Sequence, residues 1–423
     1  MTTTPVRAPA AGELLAPVSK EGQAFLDLLA VHIPYVREVS GAHDRDGTFP
    51  FEVFDRFRTS GVLAATVPAE LGGLGVSHMH DVALALRTLA EFDASVALAL
   101  HMQLSRGLTL TYEWRYGAPE AQSLAERLMR SIGEREAIIC GAVKDAPRAT
   151  TRLTPAPGGG WLLNGRKTLV SLAPAATHFA VYAEVHVDEE PLRLAAPVLT
   201  RQTPGLTVLD NWDGLGMRGS GTVDIVFDNC PIAAADVLPR AAVGARQDAV
   251  LAGQTVSSVT MLGIYAGIAS AARNVAVDWT VRRRVDPGAA VRTLLAEIEA
   301  RLFALRSSAA AALRNADELA FDFSVDADER GRRMMTPFQC AKLMVNQLAS
   351  DIVDRCMTVV GGASFSARHP LARHYRDVRA GRYMQPYTYV DAIDYLSGQV
   401  LCFDQDNDYV SARAIRARRE PSP

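Results

Sequence analysis

The stretch that most constrains the fold is a glycine-rich turn at residues 215–221, which runs directly into an alternating segment at residues 223–228. The turn holds three glycines and Arg218, and glycine reaches positive φ and lets backbones approach closely. Ile225 and Phe227 face one side of the following segment, and Asp224, Val226 and Asp228 face the other, which is typical of a half-buried β-strand. Alone, this pattern is compatible with a turn and a strand edge in many folds.

Length and composition indicate an ordinary globular enzyme of two or three domains, with 423 residues, 48% hydrophobic and 22% charged. The net charge of −3 gives no basis for electrostatic binding to nucleic acid or to an anionic membrane. The five cysteines are scattered, so the sequence predicts neither a disulfide framework nor a metal site. We identify no apolar run of ~18 residues and no signal-peptide core near the N-terminus, and expect a cytoplasmic protein.

Hydrophobic periodicity changes twice along the chain and predicts three domains. Residues 1–20 are expected to be disordered or loosely ordered, residues 21–136 to form an α-helical domain, residues 137–240 a β-domain, and residues 241–423 a four-helix bundle. The predicted fold is therefore α+β.

Individual elements follow from the same patterns. Helices are predicted at residues 21–37, 51–60, 81–110, from Pro119, 254–284, 289–315, from Pro337 to Val360, and after Pro386. Pro34 is expected to kink or end the first of them. Strands are predicted at residues 137–140, 161–170, 179–185, 192–199 and 206–209. The charged residues 322–333 are predicted to form an exposed connection.

Four patches, in this order and spacing, resemble the acyl-CoA dehydrogenase superfamily. They are residues 44–50 with 61–75, residues 163–167, the arginine-glycine turn at 216–221, and Gly361-Gly362 with Pro370, Arg376 and Asp377. The resemblance covers about residues 20 to 405. It implies a helical N-terminal domain, a β-barrel-like middle domain and a C-terminal four-helix bundle.

The resemblance also implies a flavin between the β-domain and the bundle. The isoalloxazine ring is expected against Val170, Ser171 and Leu172. By the same resemblance, Gly361 and Gly362 approach the flavin pyrophosphate of a neighbouring subunit, and Arg282, with the two arginines after it, pairs with a phosphate there. Each feature has a plainer interpretation as a strand residue, a helix end or a solvated charge run.

Two segments depart from the family pattern. Residues 142–147 stand where the family usually has a Thr-Glu-Pro-Gly run, and residues 285–288 where it usually has Thr-Phe-Gly beside the adenine of FAD. The contacts that would bind FAD are therefore altered, so FMN becomes an alternative, and the cofactor is predicted to be FAD or FMN.

The carboxylate base of an acyl-CoA dehydrogenase is missing from its expected positions. Removal of a substrate α-proton needs a carboxylate within ~3 Å of that proton. Ungapped counting places Gln385 at the usual position and Ser257 at the alternative one, and neither side chain accepts a proton at neutral pH. Asp391 and Asp394 would require a shifted alignment.

A branch of the superfamily transfers oxygen from O2 with a reduced flavin, and that reaction needs a dry pocket but no such base. We therefore favour a flavin-dependent monooxygenase acting on a small molecule, with His101, Gln385 and Ser257 as pocket candidates. A lone histidine such as His101 is more often a satisfied core residue.

Two alternatives stay open at this point: an acyl-CoA or acyl-carrier-protein dehydrogenase with a base elsewhere, and a non-catalytic binding module with the same fold. The expected partners are a small-molecule or acyl-thioester substrate and a flavin reductase. The resemblance implies a homotetramer, while no nucleic acid or membrane partner is expected.

Overall fold

The computed structural model describes residues 12–187, 189–242 and 248–402. Within them the α-helices are α1 Lys20–Ala30, α2 Ile33–Asp46, α3 Phe51–Ser60, α4 Met79–Ala90, α5 Ala94–Tyr116, α6 Pro119–Gly133, α7 Val250–Ser258, α8 Leu262–Arg282, α9 Gly288–Leu319, α10 Ala327–Val360, α11 Pro370–Asp377 and α12 Tyr389–Val400. The first six form a helical layer, and α7 to α12 form a second one around the long antiparallel pair α9 and α10.

A mixed β-sheet separates the two helical layers in sequence. Its strands are β1 Ile139–Ala142, β2 Arg152–Pro155, β3 Trp161–Val170, β4 His178–Val181, β5 Ala183–Val185, β6 Arg193–Thr200, β7 Leu206–Val208, β8 Val223–Ile232 and β9 Val237–Ala242. Their order in the sheet is β1-β4-β6-β5-β2-β3-β8-β7, with β9 paired to β6. The β1–β4 and β2–β5 pairs are parallel and the other pairs antiparallel. The α+β fold predicted from the sequence is confirmed.

In the part of the chain that the structure describes, one helical stretch, Val250–Arg282, is long and apolar enough to cross a membrane by length and composition alone. However, 94% of its most apolar window is buried inside the protein, as in a core helix. It packs so closely on α4 that a Cβ added at Gly263 would overlap the carbonyl oxygen of Ala83. Only glycine permits that approach.

Two helices predicted as continuous are each broken in two. The helix predicted at residues 21–37 ends at Ala30, and Pro34 lies in the first turn of α2, where its missing N–H is unneeded. The helix predicted at residues 81–110 is interrupted at Asp93, whose carboxylate accepts a hydrogen bond from Val96 N at 3.0 Å and caps α5.

The prediction that Pro337 begins a helix is wrong, and so is the prediction that residues 322–333 form an exposed connection. Helix α10 begins at Ala327, where the Asp326 carboxylate caps it, and Pro337 lies inside the helix. Arg330 is only 5% exposed. Packing of α10 against α8 and α9 outweighs the local cost of the proline, about 3 kcal/mol.

Smaller differences concern single elements. The helix predicted at residues 254–284 is interrupted by a 3-10 turn at Val259–Met261. The strands β2 and β9 were not predicted, and the strand predicted at residues 179–185 is two strands, β4 and β5.

At the N-terminus, residues 1–11 lie outside the described residues, while Leu14 is fully buried. The domain boundaries at 20, 136 and 240 stay predictions.

A buried ionic network joins the three layers. Arg373 on α11 pairs with Asp93 at the start of α5 at 2.7 Å and with Asp377 at 3.3 Å. Asp377 also accepts a hydrogen bond from Met217 N at 2.6 Å, in the arginine-glycine turn before β8. Asp44 on α2 pairs with Arg376 at 2.6 Å. The predicted turn is therefore tied to both helical layers.

The Arg373→Met variant is expected to lose about 3–5 kcal/mol of unfolding free energy, because it leaves the carboxylates of Asp93 and Asp377 buried without their partner. Urea denaturation measures the loss. Arg292→Met is the matched control, since its pair with Asp286 is exposed on both sides and should contribute under about 1 kcal/mol. Equal stability of the two variants would show that the network does not hold the layers together.

Candidate active site

A cavity of about 290 Å³ lies between α5, the strands β1, β4 and β6, and α7. Its apolar wall comes mainly from the sheet. Side chains alternate between the two faces along each strand, and the aliphatic ones on one face point toward the helices. Polar side chains in the wall include Thr109, Tyr112, Glu113, Tyr182 and Ser257. The cavity is thus a mostly apolar chamber with a few polar groups, as ligand sites usually are.

Ser257 is the one predicted pocket residue in the wall of this cavity. Its hydroxyl donates to the Gln254 carbonyl at 2.9 Å and lies 3.0 Å from the Ser258 hydroxyl. A hydroxyl held in this way can bind a polar ligand group but cannot serve as a base at neutral pH.

Gln385 lies on the segment between α11 and α12, in a cis peptide with Pro386. The side-chain oxygen of Gln385 is buried and has no hydrogen-bond partner among the described residues. Buried acceptors are usually paired, so this atom is suited to receive a donor from a ligand.

The segment around Gln385 is held by Lys342 of α10, which the sequence analysis missed. The Lys342 ammonium donates to the carbonyls of Met384, Pro386 and Tyr387 at 2.5, 2.9 and 2.6 Å. Burial lowers the pKa of Lys342 to about 7, while three carbonyl acceptors match the three N–H donors of its charged form. No local signal distinguishes this lysine, because its partners are backbone atoms more than 40 residues away.

His101 is a core residue of α5 and does not line the cavity. Its Nδ1 lies 3.0 Å from the Thr260 hydroxyl, and the residue is 1% exposed. Burial lowers the pKa of His101 from 6.5 to about 3, so the imidazole is neutral at physiological pH. This geometry agrees with the plainer interpretation of a satisfied core histidine, and a direct role in catalysis stays a prediction.

Among the described residues that line the cavity, Glu113 is the one with a carboxylate. It lies on α5 and not at either position where the family places its base. Asp391 is engaged elsewhere, since its carboxylate accepts hydrogen bonds from the Thr388 hydroxyl at 2.6 Å and the Thr388 amide at 3.1 Å and so caps α12. Asp394 is exposed.

The residues expected against the flavin lie at the end of β3. Val170 and Leu172 are buried, and the Ser171 hydroxyl lies 2.7 Å from that of Thr222, which lies 2.6 Å from that of Ser220. Two hydrogen bonds among three hydroxyls use two of their protons, so one O–H is left to donate to a ligand. A flavin ring presents acceptor nitrogen and oxygen atoms, so this cluster fits it.

The segment that departs from the family pattern is fixed to β3. Lys167 is 2% exposed and pairs with Asp145 at 2.7 Å, and Thr168 N donates to Lys144 O at 2.9 Å. The segment is therefore well paired to β3, a strand inside the sheet, next to the residues expected against the flavin.

The other residues predicted to contact the cofactor are at the surface. Gly361 has φ 75°, and no atom lies within 4 Å of a Cβ built at Gly361 or Gly362, so the backbone there is open to a ligand or to another subunit. Arg282 is exposed at the end of α8. Among the described residues, no group of three His, Cys, Asp or Glu side chains could hold a metal ion.

Comparison with known proteins defines the class of enzyme. The N-terminal, middle and C-terminal domain models of the acyl-CoA dehydrogenase family match residues 26–123, 141–230 and 250–385. The chain belongs to the acyl-CoA dehydrogenase superfamily.

Several relatives share more than half of its residues. The chain is 59% identical to L-evernosamine nitrososynthase of Micromonospora sp., over 96% of this chain and 97% of the relative. It is also 59% identical to amino sugar nitrososynthase RubN8 of Streptomyces rubradiris, over 96% of each chain. The structure of KijD3 with FMN and dTDP-3-amino-2,3,6-trideoxy-4-keto-3-methyl-D-glucose matches with TM-score 0.95 and 59% identity, covering 96% of this chain and 100% of KijD3.

These relatives confirm the prediction of a flavin-dependent oxidoreductase and favour monooxygenase-type chemistry over acyl-CoA dehydrogenation. They also confirm the predicted flavin and a small-molecule substrate. The roles of individual site residues stay predictions.

The neutral state of His101 leads to a pH prediction. The folded protein keeps the imidazole unprotonated, while the unfolded chain binds a proton below pH 6.5, so stability falls as pH drops from about 6.5 toward 3. Between pH 6.5 and 5 this single group should cost the wild type about 2 kcal/mol relative to His101→Gln. Urea denaturation of both proteins at pH 7.5, 6 and 5 measures the difference, and parallel pH curves would contradict it.

Proposed function

We propose that this chain oxidises the amine of a nucleotide-linked amino sugar to a nitroso group, using reduced FMN and O2. The proposal is carried by 59% identity over nearly the full length to nitrososynthases and, equally, to KijD3, whose structure holds FMN and a dTDP-amino sugar. The amide of Gln385 at the family's base position supports it, because oxidation of an amine nitrogen removes no α-proton.

The conversion takes two oxygen transfers. In each, one O2, two electrons and two protons are consumed; the first transfer converts R–NH2 to R–NHOH and water, and the second converts R–NHOH to R–N=O and two waters. The bound reduced flavin supplies the electrons and brings oxygen to the amine. The protein's part is to hold the amine, exclude water and keep polar groups oriented.

The residues present can serve these tasks. The buried oxygen of Gln385 accepts an N–H of the substrate amine, and the Lys342 clamp keeps that oxygen in place. Ser257 offers a further polar contact, and Val170, Ser171 and Leu172 form the flavin-facing edge. FMN is favoured over FAD because residues 285–288 lack the aromatic that resemblance expects beside an adenine.

Partners and assembly follow as further parts of the proposal. A separate flavin reductase supplies reduced FMN in the cytoplasm. The exposed backbone at Gly361 and Gly362 and the exposed Arg282 suit a homotetramer in which these residues contact the flavin of a neighbouring subunit.

We predict that the purified protein will consume O2 only when a reductase supplies reduced FMN. Adding a dTDP-amino sugar should then start product formation. The mass of the product should exceed that of the substrate by the difference between a nitroso group and an amino group. Reduction of an electron-transfer dye with an acyl-CoA, without such a mass change, would instead support the dehydrogenase alternative with Glu113 as a candidate base.

The Gln385→Ala variant should lose about tenfold in kcat/KM for the amino sugar, the loss of one oriented hydrogen bond of about 1.4 kcal/mol. Its FMN affinity, measured by flavin fluorescence, should stay within about twofold of the wild type. The control is Tyr383→Phe, at a neighbouring residue that is 71% exposed. A large loss of FMN binding with unchanged substrate binding would contradict the proposed contact between Gln385 and the substrate amine.

A further inference from the structure

The buried face of α10 carries a row of polar side chains that the chemistry of the cavity does not by itself explain. Lys342, Asn346 and Ser350 follow one another at four-residue spacing and therefore lie on one face of the helix. Each of the three is 3% exposed. Burial of polar groups costs free energy unless they are paired, so the partners of these side chains indicate what the row does.

Asn346 binds the chain that leads to Gln385, at a point that Lys342 does not hold. A 3-10 helix, Val378–Tyr383, follows α11 and leads into the segment with Gln385. The Asn346 Nδ2 donates to the Gly381 carbonyl of this 3-10 helix at 3.0 Å. Lys342 holds carbonyls on both sides of Gln385.

These two anchors together define the register of residues 381–387 on α10. The Lys342 ammonium is a compact charge on a flexible stem, so alone it would allow the segment to pivot. The short Asn346 side chain begins one turn further along, about 6 Å up the helix axis, and blocks that motion. Because α10 packs against α8 and α9, both anchors belong to a rigid element.

Gly381 brings the segment very close to α10. A Cβ built at Gly381 would overlap the Asn346 Oδ1 and would lie 3.0 Å from Cε1 of Tyr265 on α8. A larger residue therefore requires Asn346 to move. The hydrogen bond from Asn346 is held in one geometry by this close packing.

The Asn346 amide contributes its donor at a cost. Its Oδ1 is buried and has no hydrogen-bond partner among the described residues. An unpaired buried acceptor lowers stability, so packing alone would favour an aliphatic side chain at this position. The bond to the Gly381 carbonyl is what asparagine supplies and leucine does not.

We infer that Asn346 is a positioning residue of the active site: together with Lys342 it fixes residues 381–387 on α10 and so sets where the Gln385 amide meets the substrate. This inference rests on the proposed function and assigns to it a residue that acts through Gln385. Hydrogen bonds weaken steeply when their distance or angle changes, so a small shift of the segment removes the contact with the substrate amine.

The test is a double-mutant cycle between residues 346 and 385, measured as kcat/KM for a dTDP-amino sugar. Asn346→Leu keeps the size of the side chain and removes its donor, and it should lower kcat/KM about fivefold. The loss should divide between kcat and KM as it does for Gln385→Ala. In the Gln385→Ala background, Asn346→Leu should change kcat/KM by less than about twofold, because the group that it positions is gone.

A second variant perturbs the same contact from the other side. Gly381→Ala adds a methyl group that overlaps Asn346 and removes no polar group. It should also lower kcat/KM about fivefold, and it should also lose this effect in the Gln385→Ala background. Urea denaturation should show equal midpoint shifts for each variant in both backgrounds, because the stability effect does not depend on Gln385.

The matched control is Ser350→Ala, at the next position of the row. Ser350 is as buried as Asn346, and its hydroxyl has no partner among the described residues. Its kcat/KM should stay within about twofold of the wild type, since the variant removes no bond to the segment. FMN affinity should be unchanged in every variant, because the flavin ring is expected at residues 170–172.

Other outcomes overturn the inference in distinguishable ways. Equal losses of kcat/KM in both backgrounds would show that Asn346 acts on the fold and not through Gln385, and would leave the proposed function intact. Unchanged kcat/KM in both Asn346→Leu and Gly381→Ala would refute the anchor, and a loss of FMN binding would assign it to the cofactor. Full activity of Gln385→Ala would refute the contact that the anchor serves. A wild type that converts no dTDP-amino sugar would refute the proposed function itself.

Discussion

The architecture depends on one buried charge, the guanidinium of Arg373. It pairs with Asp93 and Asp377, and Asp377 in turn accepts the amide of Met217, so α5, α11 and the turn before β8 converge on one point. Burial raises the pKa of Asp377 to about 6, and the facing Arg373 opposes that rise. Without Arg373, the carboxylates of Asp93 and Asp377 would be buried without a partner, at a high cost in free energy. The need to keep these charges paired holds the three layers in a fixed geometry around the cleft between them.

That fixed geometry allows the chemistry to change with few substitutions. By ungapped counting, Gln385 stands at one position where a dehydrogenase is expected to have its carboxylate, and its oxygen can accept a hydrogen bond but not a proton. The clamp from Lys342 holds this amide on the same kind of segment that would present a base. The proposed oxygen transfer to an amine depends on the position of the amine and on the exclusion of water, and it needs no carboxylate at the position of Gln385.

The fold could be predicted from the sequence where the local signal and the packing agree. Residues 51–60, which follow Pro50 and end before Gly61, and strand residues 161–170 were predicted with the bounds that the structure has. Pro337 misled because tertiary packing overrides a local helix breaker, and the break before α5 was missed although Asp93 is a typical N-cap. The candidate site was harder to predict from the sequence. Lys342 acts on backbone carbonyls, and the cavity joins segments over 100 residues apart, so neither feature produces a recognisable residue pattern.

The altered segments also argue against a protein that kept the fold and lost catalysis. In the segment that stands where the family has a Thr-Glu-Pro-Gly run, Asp145 pairs with the buried Lys167 of β3, and Thr151 donates to the same carboxylate at 2.7 Å through its hydroxyl. A buried lysine is strongly destabilising unless it is paired. In a protein without a function, random substitutions would tend to remove one partner of such a pair and would rarely create a new pair. The replacement is complete and its charges are matched, beside hydroxyls that retain a donor for a ligand. These features are those of a site rebuilt for a different substrate on the same flavin-binding frame.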